Sequence, residues 1–192
     1  IGSYDVILEI FEISKKQGIR SVDKICHRME LGKDTYTLGK IRPEMEEELC
    51  RVLADFVRIM EGYRVDDYRA TASSAISEAS NSLYVLGKIH QLTGLSVTVL
   101  SNSEQRFLSY KALAAMEDNF NKIIEKGTAI LDLDGGSFQI SLFDKDALVT
   151  TQNIRMGSLR IRERLAGIQS ETEHYEEMVE ELIWNEVSSF KK

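Results

Sequence analysis

The order of hydrophobic patterns along the chain constrains its fold more than any single motif does. Segments with apolar residues at every second position, typical of strands, alternate with segments whose apolar residues recur every three or four positions, typical of helices. A strand hairpin over residues 6–31 comes first, followed by helix, strand, helix, strand and helix patterns. This alternation predicts an α/β fold, in which helices connect neighbouring strands.

Turn residues and helix signals define the predicted segments. Pro43, the only proline, begins a helix that ends near Gly62, because proline suits the first helical position and acidic residues follow it. We then expect a short strand over 63–73, a helix over 78–94, a buried strand over 95–100, one long helix over 104–127, and two or three strands from residue 128. A last, acidic helix carries an apolar stripe of Tyr175, Met178, Val179, Leu182 and Ile183.

The charge and hydrophobicity of the sequence limit the binding partners and the cellular location that we expect for the protein. The 24 Lys and Arg against 31 Asp and Glu give a net charge of −7, which repels nucleic acid and other polyanions at long range. Any phosphate site must therefore rely on local backbone N–H groups or on a bound cation. No run of about 18 apolar residues and no basic leader are present, so we expect no membrane span and a cytoplasmic location. Cys26 and Cys50 are predicted to be buried, reduced thiols.

Two similar heptapeptides lie 134 positions apart. "GSYDVIL" begins at Gly2 and "GSFQISL" at Gly136, and each opens a strand that leads to another strand. One interpretation is two lobes whose Gly-Ser turns direct their N–H groups at one anion in a shared cleft. The other is chance similarity between two hairpin turns. The turn over Asp132–Ser137 is likewise compatible with an ordinary hairpin or with a phosphate cradle.

Five ordered blocks carry a family resemblance: "IGSYDVILEIFEI", "ATASSAISEASN", "LSVTVLSNSEQRFLSY", "AILDLDGGSFQISLF" and "IRMGSLRIRERL". Together they resemble the exopolyphosphatase and guanosine pentaphosphate phosphohydrolase (Ppx/GppA) family. The resemblance implies a two-lobed, actin-like (ribonuclease H-like) α/β fold, with a nearly complete first lobe over 1–125 and the start of a second over 126–192. We expect the chain to be clipped at both ends, since the family has an aspartate before the position of Ile1.

The activity that the resemblance implies is Mg²⁺-dependent removal of the terminal phosphate of polyphosphate or of a guanosine penta- or tetraphosphate. It also allows a homodimer. Asp132 is the candidate metal ligand, with an Asx turn as the alternative interpretation of this acid. The implied phosphate-binding residues are Gly2 and Ser3 in the first turn, and Gly135, Gly136 and Ser137 in the second.

The block "SNSEQR" corresponds to the family's Ser-Gly-x-Glu-Glu-Ala. Glu104 keeps the first glutamate, whereas Gln105 stands at the second, which the resemblance marks as the catalytic base. An amide cannot accept a proton at neutral pH. Glu104 is also the third position after Ser101, the spacing of a capping box at a helix start. We therefore treat Glu104 and Gln105 as candidate catalytic residues, and for Glu104 we favour the helix-capping role over a catalytic one.

Other positions also depart from the family pattern. Ser77 stands where the family has arginine, Gln139 replaces a metal-associated glutamate, and Asp134 replaces a glycine in the second turn. Each change removes a charged phosphate contact or a metal ligand, or places a negative charge beside the anion site. Two hypotheses remain: a phosphohydrolase with a partly degenerate site, and a weak or inactive module that senses polyphosphate or a phosphorylated guanosine nucleotide.

Overall fold

A computed structural model describes residues 1–16, 18–117, 119–166 and 174–188. The chain divides into two compact units, Ile1–Leu100 and Ser101–Lys192. Both combine strands with helices, so the predicted α/β character is confirmed. The lobe boundary expected at residue 125 stays a prediction. None of the described helices is long and apolar enough to cross a membrane.

The described residues of the first unit form two strand pairs and four helices. Strands β1 and β2 form the predicted antiparallel hairpin, whereas β3 and β4 pair in parallel. The elements are β1 (Asp5–Ser14), β2 (Gly18–Arg28), α1 (Leu31–Leu38), α2 (Pro43–Tyr63), β3 (Ala70–Ala72), α3 (Ser74–Ser77), α4 (Ser82–Thr93) and β4 (Val97–Val99).

Helix α2 supplies much of the core of the first unit. It begins at Pro43 as predicted, and Arg64, in the left-handed conformation, ends it two residues beyond Gly62. Its stripe of Leu49, Val52, Leu53 and Phe56 is buried, and this face packs with residues of β1, α3 and α4. The burial of an apolar stripe, which stabilises an amphipathic helix, explains why the pattern predicted this helix well.

The second unit is built on a three-stranded antiparallel sheet in the order β5-β6-β7. One face of the sheet packs through Ile140, Ile154 and Met156 against side chains of the two C-terminal helices. The elements are α5 (Asn102–Met116), α6 (Phe120–Ile124), β5 (Thr128–Leu133), β6 (Phe138–Asp144), β7 (Ala147–Ile154), α7 (Ser158–Leu165) and α8 (Tyr175–Ser188).

The single long helix predicted over 104–127 is wrong. The helix ends at Met116, Glu117 is extended (φ −111°, ψ 104°), and α6 begins after Asn119; residue 118 lies outside the described residues. Met116 is 81% exposed, so no buried stripe continues through this point. Asn also favours helix ends over helix interiors, because its side chain competes for backbone hydrogen bonds.

Two smaller predictions also need correction, and one helix was not predicted. Cys26 is exposed, because it lies on the hairpin face that carries exposed side chains, while Cys50 is buried in α2 as predicted. The strand over 95–100 shortens to β4, whose residues are half-buried or exposed. Helix α1 was absent from the predicted elements, because its eight residues are too few for a periodic pattern.

Candidate functional site

The second Gly-Ser turn connects β5 to β6 and is closed by hydrogen bonds between its own residues. The Asp134 N–H donates to the Ser137 carbonyl oxygen at 2.9 Å, and the Gly135 N–H donates to Asp134 Oδ1 at 2.7 Å. Gly135 and Gly136 are buried. The Asp134 carboxylate therefore accepts a hydrogen bond from the N–H of the next residue in the turn.

The carbonyl groups of this turn cap the start of α7. The Ser158 N–H donates to the Asp134 oxygen at 3.0 Å, and the Leu159 and Arg160 N–H groups both donate to the Gly135 oxygen at 3.1 Å. The Arg160 side chain adds a bond from Nε to the Gly136 oxygen at 2.9 Å. The first N–H groups of α7, which would otherwise lack partners, thus bind the turn itself.

Asp132 lies in a polar row that crosses the sheet. The strand register places Asp132 opposite Gln139 and Gln139 opposite Asn153. Asp132 is exposed and accepts a hydrogen bond from Ser109 Oγ at 2.9 Å, whereas Gln139 is buried. Asn153 Nδ2 donates to Ser137 Oγ at 3.3 Å, so this row continues to the turn. Three oxygen-bearing side chains consequently share one sheet face beside residues 134–137.

Glu104 and Ser101 cap the start of α5 through mutual hydrogen bonds. The Ser101 N–H and Oγ donate to its Oε2 at 2.8 and 2.7 Å, and the Glu104 N–H donates to Ser101 Oγ at 3.2 Å. This confirms the predicted capping box. The backbone N–H and then the hydroxyl of Ser101 hold the pKa of Glu104 below its ordinary value of 4.5, because both stabilise the carboxylate.

Gln105 lies on the half-buried side of α5. It is one helical turn before Ser109, the residue that contacts Asp132. An i, i+4 spacing puts the two side chains on one face of the helix. Gln105, at the position where the family pattern has the base, therefore shares a helix face with Ser109, which contacts the candidate metal ligand Asp132. The side chain of Gln105 is an amide and not a carboxylate.

The first Gly-Ser turn belongs to the first unit and is closed by hydrogen bonds. The Gly2 N–H donates to the Asp5 oxygen at 2.9 Å. Ser3 is fully buried, with Oγ 2.6 Å from Tyr36 OH and 3.3 Å from Ser74 Oγ. Phosphate binding by Gly2 and Ser3, and a cleft shared with the second turn, stay predictions.

The sequence patterns did not single out Ser109, Asn153 or Gly157, which hold the second turn and its row together. Ser109 had one usable signal, its position four residues after Gln105 on a predicted helix. Ser77, the position of the missing family arginine, is exposed at the end of α3.

The described residues contain no group of three or more His, Cys, Asp or Glu side chains that could enclose a metal ion. Mg²⁺ does not require one, because it usually keeps several waters and binds one or two carboxylates together with substrate phosphates. The exposed carboxylate of Asp132 lies at one end of a row that continues through the amides of Gln139 and Asn153, and it fits such an open donor set.

The described structure belongs to the actin-like α/β class. A Ppx/GppA family member from Aquifex aeolicus is similar over 100% of this chain and 61% of its own, with a TM-score of 0.71 and 23% identity. An exopolyphosphatase from Cytophaga hutchinsonii is similar over 85% of this chain and 51% of its own, with a TM-score of 0.74 and 21% identity. These similarities confirm the predicted fold class.

The Ppx/GppA phosphatase family matches residues 9–192, and the chain belongs to this family. A bifunctional 3-dehydroquinate synthase/phosphatase of Fusobacterium nucleatum is 21% identical over 170 residues, 85% of this chain and 25% of that protein. Exopolyphosphatase 1 of Mycobacterium leprae is 29% identical over 108 residues, 56% of this chain and 30% of that protein. The matched region is therefore less than a third of either relative.

Proposed function

We propose that this chain contributes the second-turn half of a phosphohydrolase site that removes the terminal phosphate of polyphosphate or of guanosine pentaphosphate, with low turnover. The observation that carries the proposal is the exposed Asp132 carboxylate, which Ser109 orients beside the turn over residues 134–137. Family membership supports the reaction class.

Asp132 is the residue that would hold Mg²⁺ in this site. A bound Mg²⁺ supplies positive charge that offsets the charge of the phosphate oxygens. Ser109 fixes one carboxylate oxygen by donating to Oδ2, which leaves Oδ1 as the oxygen for the cation. Gln139 and Asn153 bring neutral oxygen and N–H groups to the same row, and these can orient water or phosphate without adding negative charge.

The low turnover follows from the missing proton acceptor. Attack of water on a terminal phosphate needs a positioned group that orients the water or takes its proton. Glu104 engages Ser101 through Oε2, and its lowered pKa makes it a weaker base. Gln105 can hold a water by hydrogen bonding but cannot accept its proton.

The second candidate function is a binding or regulatory module for the same phosphate-rich ligands. The observation that favours it is the presence of amides at two positions where the family pattern has glutamates: the half-buried Gln105 on α5 and the buried Gln139 in the row beside Asp132. Such a site keeps hydrogen-bonding groups but lacks carboxylates that accelerate hydrolysis.

The deciding experiment measures phosphate release from polyphosphate and from guanosine pentaphosphate by the full-length protein with Mg²⁺. Wild type is compared with Gln105→Glu and with Gln91→Glu, which adds the same charge at an exposed position of α4. Restoring a base should raise the rate about 100-fold or more, while Gln91→Glu leaves it unchanged.

The same assay separates the alternatives. Robust wild-type turnover that Gln105→Glu does not improve would contradict the degenerate site and imply another carboxylate as the base. Ligand binding without turnover in wild type and in Gln105→Glu would favour the regulatory module. Isothermal titration with polyphosphate and with guanosine pentaphosphate supplies the binding measurement.

A further inference from the structure

Arg160, in the first turn of α7, donates hydrogen bonds to two consecutive carbonyl groups of the second Gly-Ser turn. Its backbone N–H donates to the Gly135 oxygen at 3.1 Å, and its side-chain Nε donates to the Gly136 oxygen at 2.9 Å. The Nε group belongs to a guanidinium, which stays cationic in proteins, so the second bond is charge-assisted. Arg160 therefore joins the helix to the turn through both its main chain and its side chain.

Three successive carbonyl groups of the turn are held toward the start of α7. Ser158 donates its N–H to the Asp134 oxygen at 3.0 Å, and Arg160 donates to the oxygens of the two glycines that follow. In a planar trans peptide the N–H points in the opposite direction to the C=O of the same peptide group. The N–H groups of these three peptides, which belong to residues 135–137, are therefore directed away from α7.

Asp134 engages the first of these three N–H groups. Its Oδ1 accepts from the Gly135 N–H at 2.7 Å. The next two N–H groups, those of Gly136 and Ser137, are consecutive along the chain, and successive backbone N–H groups can form a concave anion site. The Ser137 N–H belongs to the same peptide group as the carbonyl that accepts from Arg160. This peptide is therefore the one that the guanidinium orients directly.

We propose that Arg160 is a positioning residue for a phosphate group at the second Gly-Ser turn. Its Nε fixes the orientation of the peptide group between Gly136 and Ser137. Its positive charge polarises that peptide, so that the Ser137 N–H donates more strongly to a phosphate oxygen, because hydrogen bonds in a chain strengthen one another. The proposal rests on the proposed function, since it requires phosphate to bind at this turn.

A cation behind the turn matters because the surroundings are acidic. The chain has a net charge of −7, and Asp132 and Asp134 place two carboxylates at this end of β5. Arg160 offsets part of this charge from the carbonyl side of the turn, the side opposite to the N–H groups. Its effect reaches the phosphate through a hydrogen-bonded peptide and needs no direct contact with the substrate.

Titration of the full-length protein with inorganic phosphate in the presence of Mg²⁺ tests the proposal, with the backbone amide signal of Ser137 followed by NMR. Wild type is compared with Arg160→Gln and with Arg164→Gln, which removes the same charge from an exposed position of α7. Arg160→Gln should weaken phosphate binding about 10-fold, because a charge-assisted hydrogen bond to the turn is lost. Arg164→Gln should leave it unchanged. Arg160→Lys keeps the charge but not the planar donor, and its affinity should lie between those of wild type and Arg160→Gln.

Two results would overturn the positioning role and leave the proposed function standing. One is equal phosphate affinity in wild type and Arg160→Gln, and the other is equal weakening in Arg160→Gln and Arg164→Gln, which would reflect net charge alone. A Ser137 amide that does not respond to phosphate in wild type would also overturn the role. Phosphate release from polyphosphate and from guanosine pentaphosphate then shows separately whether the proposed function fails.

If Arg160→Gln does not fold, the unaltered protein decides. The Arg160 Nε–H and the Ser137 N–H lie at the two ends of one hydrogen-bonded peptide group. Because polarisation along such a chain acts in both directions, both signals should shift in the titration with the same phosphate midpoint. An Nε–H signal that stays constant while the Ser137 amide shifts would contradict the proposal.

Discussion

Gly157 lies so close to the backbone of Asp134 that a methyl group on its Cα would be 2.3 Å from the Asp134 carbonyl oxygen. The same methyl group would approach the carbonyl carbon and oxygen of Gly135 to 2.4 Å. Both contacts are with backbone, which cannot rotate away as a side chain can. The absence of a side chain at Gly157 is therefore what allows the second Gly-Ser turn to reach the first N–H groups of α7.

Gly157→Ala is expected to destabilise the second unit. The added methyl group must push the turn away from α7 and stretch the bonds that Ser158 and Leu159 donate, at a cost of about 1–3 kcal/mol or more. Gly127→Ala is the control, since a methyl group there meets nothing within 4 Å. Chemical denaturation of both variants measures the difference. Equal free energies of unfolding would show that the turn can shift at little cost.

The capping box predicts an acid-dependent stability. The pKa of Glu104 is lower in the folded chain than its ordinary value of 4.5. Its carboxylate therefore stabilises the fold fully above that value, and the contribution is lost as the pH falls through the lower, folded pKa. Glu104→Gln should unfold more readily at pH 7 and lose less stability than wild type between pH 7 and pH 3. Thermal unfolding across this range measures it, and parallel curves would contradict the prediction.

Removal of the Asp132 carboxylate should abolish the response to Mg²⁺ if the proposed function is correct. Asp132→Asn keeps the size of the side chain but removes the charge that a hard cation needs. Asp144→Asn removes the same charge from an exposed position at the end of β6 and should leave the response intact. Ser109→Ala should weaken Mg²⁺ dependence less than Asp132→Asn does. Magnesium titration of phosphate release or of ligand binding distinguishes these outcomes.

Asn81 is expected to be a stability centre of the first unit. Its Oδ1 accepts from the Ile41 N–H at 3.0 Å, and its Nδ2 donates to the Ile41 oxygen at 2.8 Å and to Glu46 Oε1 at 2.7 Å. Asn81→Ala leaves these groups short of partners, including those of the buried Glu46, and should cost about 2–4 kcal/mol. Asn185→Ala, at an exposed position of α8, is the control for the same truncation. We expect the free energy of unfolding to fall for Asn81→Ala and to stay unchanged for Asn185→Ala.

Elements with a buried stripe could be predicted from the sequence. The apolar periodicity of α2 reflects its buried face, and the alternation in β1 reflects the buried side chains of Val6 and Ile10. Strand β2 has no buried residue and forms through its pairing with β1. The capping box at Ser101 was predictable for the same reason, since its two partners are three residues apart. Local patterns sufficed wherever the stabilising contacts were local or on one face.

The polar contacts of the candidate site could not be predicted in this way. Ser109 meets Asp132 across 23 positions, and Asn153 meets Ser137 across 16, so neither pairing leaves a periodic signal. Gly157 gave no signal either, because its role depends on the approach of a turn that precedes it by more than 20 residues. Such contacts follow from the strand register and the helix position, which emerge only when the sheet is assembled.

Helix α5 has no buried residue, although the structure describes its whole length. Its contacts with the sheet are directional: Ser109 donates to Asp132, Tyr110 OH donates to Ser141 Oγ at 2.5 Å, and the Tyr110 ring meets Phe143 edge-on. The rotation of the helix about its own axis is therefore set by two adjacent hydroxyl groups. A slip of one residue along the sequence would rotate the helix by about 100° and separate both hydroxyls from their acceptors. Substitutions over most of the surface of α5 should therefore leave its rotation about its own axis unchanged.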